Sequence, residues 1–248
     1  MEPDIAATTG TTAAIIPAGG MGQRFSSGRP KQFVELAGWP VLAHTLNRFD
    51  QTDAVDQVVV VAPYDLVTDV RRGLIETSGF VKPFVVVAGG ETRQESVYQG
   101  FMALDEEVDL VVVHDGVRPL VRVSTIEAVV EAARKHNAAI AAVPVRDTLK
   151  RVEDGVIQDT LDRTAIYQAQ TPQAFSRLLL AAALAEAKKA GFVGTDEAAL
   201  IERLGQAVHV VIGAPENIKI TMPEDLVLAE AIIRMSEDDL PHADRFRV

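Results

Sequence analysis

Ala13-Ala14-Ile15-Ile16-Pro17-Ala18-Gly19-Gly20-Met21-Gly22-Gln23-Arg24-Phe25 leads directly into Ser26-Ser27-Gly28-Arg29-Pro30-Lys31-Gln32-Phe33. A short apolar strand, a glycine-rich turn and a cluster of three cations succeed one another, an order that suits a phosphate site at a strand exit. Glycine lacks a Cβ, so its main chain turns tightly and presses N–H groups against a polyanion, while Arg24, Arg29 and Lys31 supply mobile positive charge. Read alone, the stretch is equally well explained as a strand-to-helix turn with a solvated basic loop after it. Two standard phosphate motifs do not match. Gly20-Met21-Gly22-Gln23-Arg24-Phe25 begins like a dinucleotide fingerprint but places Phe25 where that motif wants Gly or Ala, and no Walker A sequence is present.

Outward from this stretch the strand-then-helix unit recurs. Pro40 is suited to the first position of a helix reaching about Phe49, with Leu42, Leu46 and Phe49 on one face. Gln57 to Ala62 carries Val58-Val59-Val60-Val61, an unbroken β-branched run that fits a strand covered on both faces, and a helical segment from Leu66 to about Thr77 comes next. Phe84 to Ala88 and Asp109 to His114 repeat the pattern. A helix after Ser124, with Glu127 completing a capping box, runs to about Lys135 and leads into the strand Ala138 to Val143. The fold class is therefore α/β: a doubly wound, mostly parallel, Rossmann-like sheet with helices on both faces, which binds ligands outside the carboxyl ends of its strands.

At Pro144 the pattern changes. Lys150-Arg151-Val152 and Val156-Ile157 flank Glu153-Asp154-Gly155, the signature of a hairpin projecting from the sheet within an arm of about 144–172. Such an arm serves either as a dimer contact or as a solvent-exposed hairpin. Helices are expected from Ser176 to Ala190, from Asp196 to Leu204 and from Pro223 to about Arg234, with a strand from Val208 to Ile212. The expected organisation is a flexible extension over 1–12, one large domain over 13–235 and a loose tail over 236–248.

Composition narrows the partners. The formal net charge of −11 disfavours nucleic acid and anionic membranes, so an anionic ligand needs a local basic pocket. With no cysteine there is no disulfide, thiolate zinc site or cysteine nucleophile. Met1 to Thr12 lacks the basic start and apolar core of a signal peptide, and no apolar run approaches the roughly 20 residues of a bilayer span, so a cytoplasmic protein is expected.

Beyond the opening loop, Asp115 lies just past a buried strand, where a carboxylate either holds Mg²⁺ against phosphates or caps the loop. The adjacent His114 reads as structural. Gly89-Gly90-Glu91-Thr92-Arg93-Gln94-Glu95-Ser96 offers backbone donors and a hydroxyl at another strand exit, suited to a ribose or base, and reads equally as a helix start. In isolation Arg163 and Lys219 read as surface cations, and Thr195 with Asp196 as an ordinary helix N-terminus.

Taken together, PAGGMGQRF with RPKQF, GGETRQESV, VHDGVRP, PVRDTLK, QTPQAF, GTDEAALIE and NIKITMPEDL resemble, in order, the motifs of the 2-C-methyl-D-erythritol 4-phosphate cytidylyltransferases of the non-mevalonate isoprenoid pathway. The resemblance runs from Ala13 to about Arg234. It implies transfer of a cytidylyl group from CTP to a sugar-alcohol phosphate, with Mg²⁺ and release of pyrophosphate, by a homodimer whose arm reaches the neighbouring subunit's site. Such a reaction needs no nucleophile triad, because the acceptor phosphate is already an anion. The enzyme must align two repelling anions and stabilise a crowded phosphorus.

Carried over residue by residue, the resemblance makes Arg24 and Lys31 the stabilisers of the transition state. Pro17, Ala18, Gly19, Gly20, Gly22 and Gly116 surround the nucleotide, and Gly90, Glu91 and Ser96 contact cytosine and ribose. Asp115 and Arg118 lie near phosphates and acceptor, with Asp115 the candidate metal ligand. Thr148, Arg163, Thr171, Thr195 and Lys219 match acceptor positions, and Arg163 and Lys219 orient the acceptor's phosphate. Three positions depart from the family pattern: Gly19 replaces a common Ala, Gln23 stands where some members carry a cation, and HDGVRP replaces HDAARP. Two other readings compete: a ribitol 5-phosphate cytidylyltransferase, which shares most of these motifs, and a catalytically silent nucleotide-binding regulatory module.

Overall fold

The computed structural model describes residues 10–19 and 30–235. Gly20, Gly22, Gln23, Arg24 and Arg29, the expected tail and most of the expected extension lie outside the described residues. The strand β1 (Thr11–Pro17) starts two residues inside that extension. A turn at Lys31–Phe33 and a small ladder of β2 (Glu35–Leu36) with β3 (Trp39–Pro40) precede α1 (Val41–Gln51). Then come β4 (Gln57–Ala62), an irregular helical segment containing α2 (Val67–Val70), β5 (Phe84–Ala88), α3 (Arg93–Met102) and β6 (Val108–Val113). The chain continues through α4 (Val123–His136), β7 (Ala138–Pro144), β8 (Lys150–Glu153), β9 (Val156–Thr160), β10 (Tyr167–Ser176) and α5 (Arg177–Ala190). It closes with α6 (Glu197–Arg203), β11 (His209–Ile212) and α7 (Pro223–Met235).

Seven strands form one sheet in the order β11-β7-β10-β6-β1-β4-β5. β1 pairs in parallel with both β4 and β6, so the strand order reverses direction at β1 and opens a crevice at the carboxyl edge. The valine runs of β4 and β6 are buried on both faces, as a parallel sheet between two helix layers requires. Alternation along β1 divides the core: Ala14 and Ile16 pack with Leu46, Phe49 and Ile126 beneath α1 and α4, whereas Ala13 and Ile15 pack with Val97, Phe101 and Leu180 beneath α3 and α5. A third cluster seats α7 on Leu36, Val41, Val117 and Leu120, beside the exit of β6.

Two expectations are corrected. Residues 167–172 of the expected arm belong instead to β10, an antiparallel strand of the main sheet wedged between β6 and β7, with Gln168 opposite Val143 and Phe175 opposite Val111. The hairpin proper is β8–β9, with Asp154 (φ 49°) and Gly155 (φ 78°) forming a two-residue turn whose positive φ values suit this pair. The Ser124 capping box is also absent. α4 begins at Val123 after Arg122, whose carbonyl accepts from Thr125 and Ile126, and Glu127 instead accepts a bond from Thr52 Oγ1 at 3.3 Å.

Candidate active site

Loops from the carboxyl ends of β1, β5, β6, β7 and β11, and the entry to β10, meet at one edge of the sheet. At its centre is Asp115, 6% exposed, in the first turn after β6. Its Oδ1 accepts from Arg93 Nε at 2.9 Å, its Oδ2 lies 2.7 Å from Lys219 Nζ, and Arg118 Nε stands 3.9 Å from Oδ2. Burial pushes the Asp115 carboxyl up, but Arg93 and Lys219 outweigh this and hold it well below the usual carboxylate range. Arg118 Nη1 donates to Asn217 O at 2.7 Å, and Ile220 N–H to Val117 O, which stitches the loop bearing Lys219 onto the loop bearing Asp115. A cleft of about 720 Å³ opens beside these residues, lined among others by Arg118, Arg146, Gln170, Asn217 and Lys219. Arg118 Nε and Asn217 Oδ1 are buried behind it without hydrogen-bond partners among the described residues, Arg118 Nε having only the ion pair with Asp115 at 3.9 Å.

The β1 exit is fixed to this edge from both sides. Ala18 N–H donates to Val61 O at 2.8 Å, and Ala18 O accepts from the buried Gln32 side chain at 2.6 Å, which anchors the turn carrying Lys31 against the loop. Pro17 is buried and its carbonyl accepts from Gly116 N–H; Gly19 is exposed. At the β5 exit, Gly90 and Glu91 are exposed. The residues after them form a helix start: Thr92 caps α3 in a capping box with Glu95, and Ser96, 3% exposed, donates to Thr92 O and accepts from Gly90 N–H. Thr148, Arg163 and Thr195 are exposed, the first two flanking the hairpin.

Thr171 sits behind the site. It is 4% exposed, its hydroxyl accepts from Asp115 N–H at 3.1 Å and lies 3.0 Å from His114 Nδ1, and His114 Nε2 lies 3.1 Å from Arg118 O. One proton order satisfies every group: the Nε2–H of a neutral His114 donates to Arg118 O, and the Thr171 hydroxyl donates to Nδ1. Burial pushes the His114 imidazole down to about 4, in keeping with that neutral ring. Below its ordinary 6.5 the unfolded chain therefore takes up a proton that the folded chain refuses until about pH 4. Stability is complete above the unfolded value and falls through this window, by about 3 kcal/mol in full. Urea unfolding from pH 7 to pH 4.5 should show this loss, and His114→Gln should flatten that part of the curve.

The two glycine departures differ sterically. A Cβ on Gly19 would meet Ser96 Oγ at 3.6 Å, an ordinary contact, whereas one on Gly116 would meet Leu42 Cδ1 at 3.0 Å and Pro17 O at 3.2 Å. Gly19→Ala should therefore leave thermal stability unchanged or raise it by about 0.4–1 kcal/mol, while Gly116→Ala should destabilise by about 1–3 kcal/mol by overpacking. Thermal unfolding of the two variants checks the contrast.

The donor set at Asp115 does not fit a protein-held Mg²⁺. Both carboxylate oxygens are engaged by cations, and a metal ion placed there would meet the positive charges of Arg93, Arg118 and Lys219. Among the described residues no group of three or more His, Asp or Glu is arranged to hold a metal.

Several members of this edge lie within the quoted motifs but received no role from the sequence: Arg93, Glu197, Gln32, Gln170 and Asn217. Arg93 Nη1 donates to both oxygens of Glu197, at 2.8 and 3.0 Å, while its Nε holds Asp115. Arg93 lies within GGETRQESV and Glu197 within GTDEAALIE, 104 positions apart, and nothing local pairs the two.

A family model described as 2-C-methyl-D-erythritol 4-phosphate cytidylyltransferase matches residues 12–235. Curated proteins of that name from Syntrophus aciditrophicus and Bacillus licheniformis are 46% and 44% identical, over 90% and 88% of this chain and 96% and 94% of their own. Among solved structures, a 4-diphosphocytidyl-2C-methyl-D-erythritol synthase from Anaerococcus prevotii superposes with a TM-score of 0.82 at 32% identity, covering 91% of this chain and 96% of that one. The 2-C-methyl-D-erythritol 4-phosphate cytidylyltransferase from Thermus thermophilus gives 0.74 at 35% identity, over 90% and 99%. With a sheet edge that gathers cations around one carboxylate and near-complete coverage by these relatives, the chain belongs to the 2-C-methyl-D-erythritol 4-phosphate cytidylyltransferase family.

Proposed function

We propose that this chain transfers the cytidylyl group of CTP to 2-C-methyl-D-erythritol 4-phosphate, forming 4-diphosphocytidyl-2-C-methyl-D-erythritol and pyrophosphate in non-mevalonate isoprenoid synthesis. The observation that carries the reading is the convergence of Arg93, Arg118 and Lys219 on Asp115 at the sheet edge that also holds the β1 loop. An oxygen of the acceptor phosphate attacks the α-phosphorus, the bond from that phosphorus to the oxygen bridging the β-phosphate breaks, and pyrophosphate leaves with the electron pair. No proton has to be abstracted, so the residues' task is to hold two anions together and stabilise the charge that builds on phosphorus.

On this reading the loop from Pro17 through Gly22 wraps the triphosphate, and Arg24 and Lys31 meet the developing charge. Gly90, Glu91, Ser96 and Gly116 frame the nucleoside. Lys219 and, from a neighbouring copy, Arg163 orient the acceptor's phosphate, with Asp115 and Arg118 beside it, while Thr148 and Thr195 complete its pocket and Thr171 backs it through its bonds to Asp115 N–H and His114. Mg²⁺ is assigned to the nucleotide and enters as part of the substrate, where it neutralises phosphate charge. The hairpin displays Val152, Val156 and Ile157 at 53–62% exposure, apolar surface that suits a second copy of the chain, and Arg163 next to it is then placed to act in a neighbouring site. Sedimentation of the purified protein tests the dimer. A cytoplasmic location belongs to the same reading, and no helix among the described residues is long and apolar enough to cross a membrane.

The decisive assay is pyrophosphate release with CTP, Mg²⁺ and each acceptor in turn. Turnover with methylerythritol phosphate at least about tenfold above that with ribitol 5-phosphate supports the reading. Turnover with ribitol 5-phosphate alone reassigns the acceptor, and CTP binding without pyrophosphate release under any condition overturns it.

A further inference from the structure

We propose that Glu197 is a positioning residue for the transfer reaction: through Arg93 and Asp115 it sets where Lys219 presents its ammonium group to the substrate phosphates. The proposal rests on the reading of the Asp115 edge as the reaction site.

Glu197 is 1% exposed, and burial, with the negative charges of Asp115 and Asp196 nearby, pushes its carboxyl up against the pull of Arg93. A carboxylate in such a place costs several kcal/mol unless it is paired and hydrogen-bonded, and an apolar side chain of similar size is often at least as stable. Stability alone therefore does not explain an acid at the first position of α6. Its geometry supplies a reason. Both Glu197 oxygens take Arg93 Nη1, leaving Arg93 Nε for Asp115 Oδ1 and Asp115 Oδ2 for Lys219. A guanidinium is planar and its donors diverge in fixed directions, so seating one of them on Glu197 fixes the direction in which the other reaches Asp115. Four groups in sequence, from one helix start to another and on to two loops, thus determine the position of the Lys219 ammonium.

The surroundings make the linkage stiff. Gln94, next to Arg93, accepts from Gly194 N–H at 2.9 Å and donates to Phe192 O at 3.1 Å, so the start of α3 is laced to the segment leading into α6. Asp196 accepts from Ala199 N–H and from Gln173 Nε2, and Gln173 Oε1 accepts from Ala198 N–H, so the start of α6 is fixed to β10 as well. Charge matters as much as reach. Three cations, Arg93, Arg118 and Lys219, share two carboxylates, Asp115 and Glu197. Neutralising Glu197 leaves Asp115 as the sole anion of the group, drawn more strongly to Arg93 and less available to Lys219.

The test is a double-mutant cycle of Glu197→Gln with Lys219→Ala, read as kcat and as KM for CTP and for the acceptor, with thermal unfolding to establish that each variant is folded. Glu197→Gln is expected to lower kcat about tenfold with either KM changed less than about threefold, and to have less than about a twofold further effect once Lys219 is alanine. Such non-additivity is a readout that a merely structural acid does not produce. Arg93→Lys, which keeps a cation but cannot bridge two carboxylates, is run through the same cycle and decides the matter should Glu197→Gln fail to fold. Wild-type kcat in Glu197→Gln, or effects that multiply independently with Lys219→Ala in both cycles, overturns the proposal while leaving the site intact. Full turnover in Lys219→Ala alone overturns the reading of the site itself.

Discussion

Lys31→Ala is expected to lower kcat by about 10²–10³-fold, roughly 3–4 kcal/mol, while calorimetric affinity for CTP changes by less than about threefold. The asymmetry arises from where charge accumulates. In the ground state the triphosphate is already a polyanion held by backbone donors and several cations, so removing one cation weakens its binding little. As the acceptor oxygen closes on the α-phosphorus, negative charge gathers at the crowded phosphoryl group, and a preorganised ammonium beside it is worth far more than in the ground state. Lys31 is suited to that task because its turn is anchored. Gln32 is 1% exposed and its amide holds Ala18 O, so the Lys31 backbone is fixed relative to the end of β1. At the start of α7, burial pushes the Asp225 carboxyl up, bonds from Thr221 and Met222 outweigh this and hold it down, and the nearby charge of Lys31 adds to their effect. A variant with unchanged kcat and CTP affinity weakened in proportion to its loss of kcat/KM would assign Lys31 to ground-state binding instead.

What the sequence reveals and what it conceals divide along a physical line. Strands β1, β4, β6 and β7 declare themselves because a strand covered on both faces must be apolar throughout, and runs such as Val58 to Val61 have few other uses; β5 has the same apolar run, but it lies at the sheet edge, where only Val86 is buried and Val85 is 41% exposed. β10 does not declare itself, since Tyr167-Gln168-Ala169-Gln170-Thr171-Pro172-Gln173 is polar and carries a proline, features that argue against a central strand. Yet Gln170, Thr171 and Gln173 are all buried, at 6%, 4% and 1% exposure, because distant partners satisfy them: Gln170 donates to Ala214 O and Gln173 to Asp196. A glutamine reads as surface until the group that cancels its desolvation is known, and that group lies tens of residues away. The site obeys the same rule. Glycine loops and strand-exit residues such as Asp115 are local signals and are legible, whereas the pairing of Arg93 with Glu197 depends on how α3 and α6 pack. The hidden residues are those whose charge or polarity is offset from across the fold.

Asp115→Asn is the substitution in which these long-range partners should all register at once. One buried carboxylate accepts from Arg93 and Lys219 and stands near Arg118, and breaking a buried ion pair from one side typically costs about 3–5 kcal/mol because the opposite charge is left uncompensated. Asparagine matches the size of aspartate but is neutral, and its amide nitrogen offers a donor where a cation stands. Arg93 retains Glu197, whereas Lys219 loses the partner 2.7 Å away and is 38% exposed, so it is the group set free to reorient toward water. Stability at pH 7 should fall by about 3–5 kcal/mol, and kcat should fall at least about 10²-fold as Lys219 and Arg118 lose their alignment. Its pH dependence separates charge from shape. The native carboxyl of Asp115 is held below its unfolded value, so its contribution is present above the ordinary carboxylate pKa and is lost as pH falls through and beneath it. The stability gap between wild type and Asp115→Asn should therefore be full at pH 7 and narrow steadily below about pH 4 in urea titrations. A gap that stays constant down to about pH 2.5 would mean that asparagine disturbs the packing of the β6 exit, and that the carboxylate charge is not what holds the three cations in place.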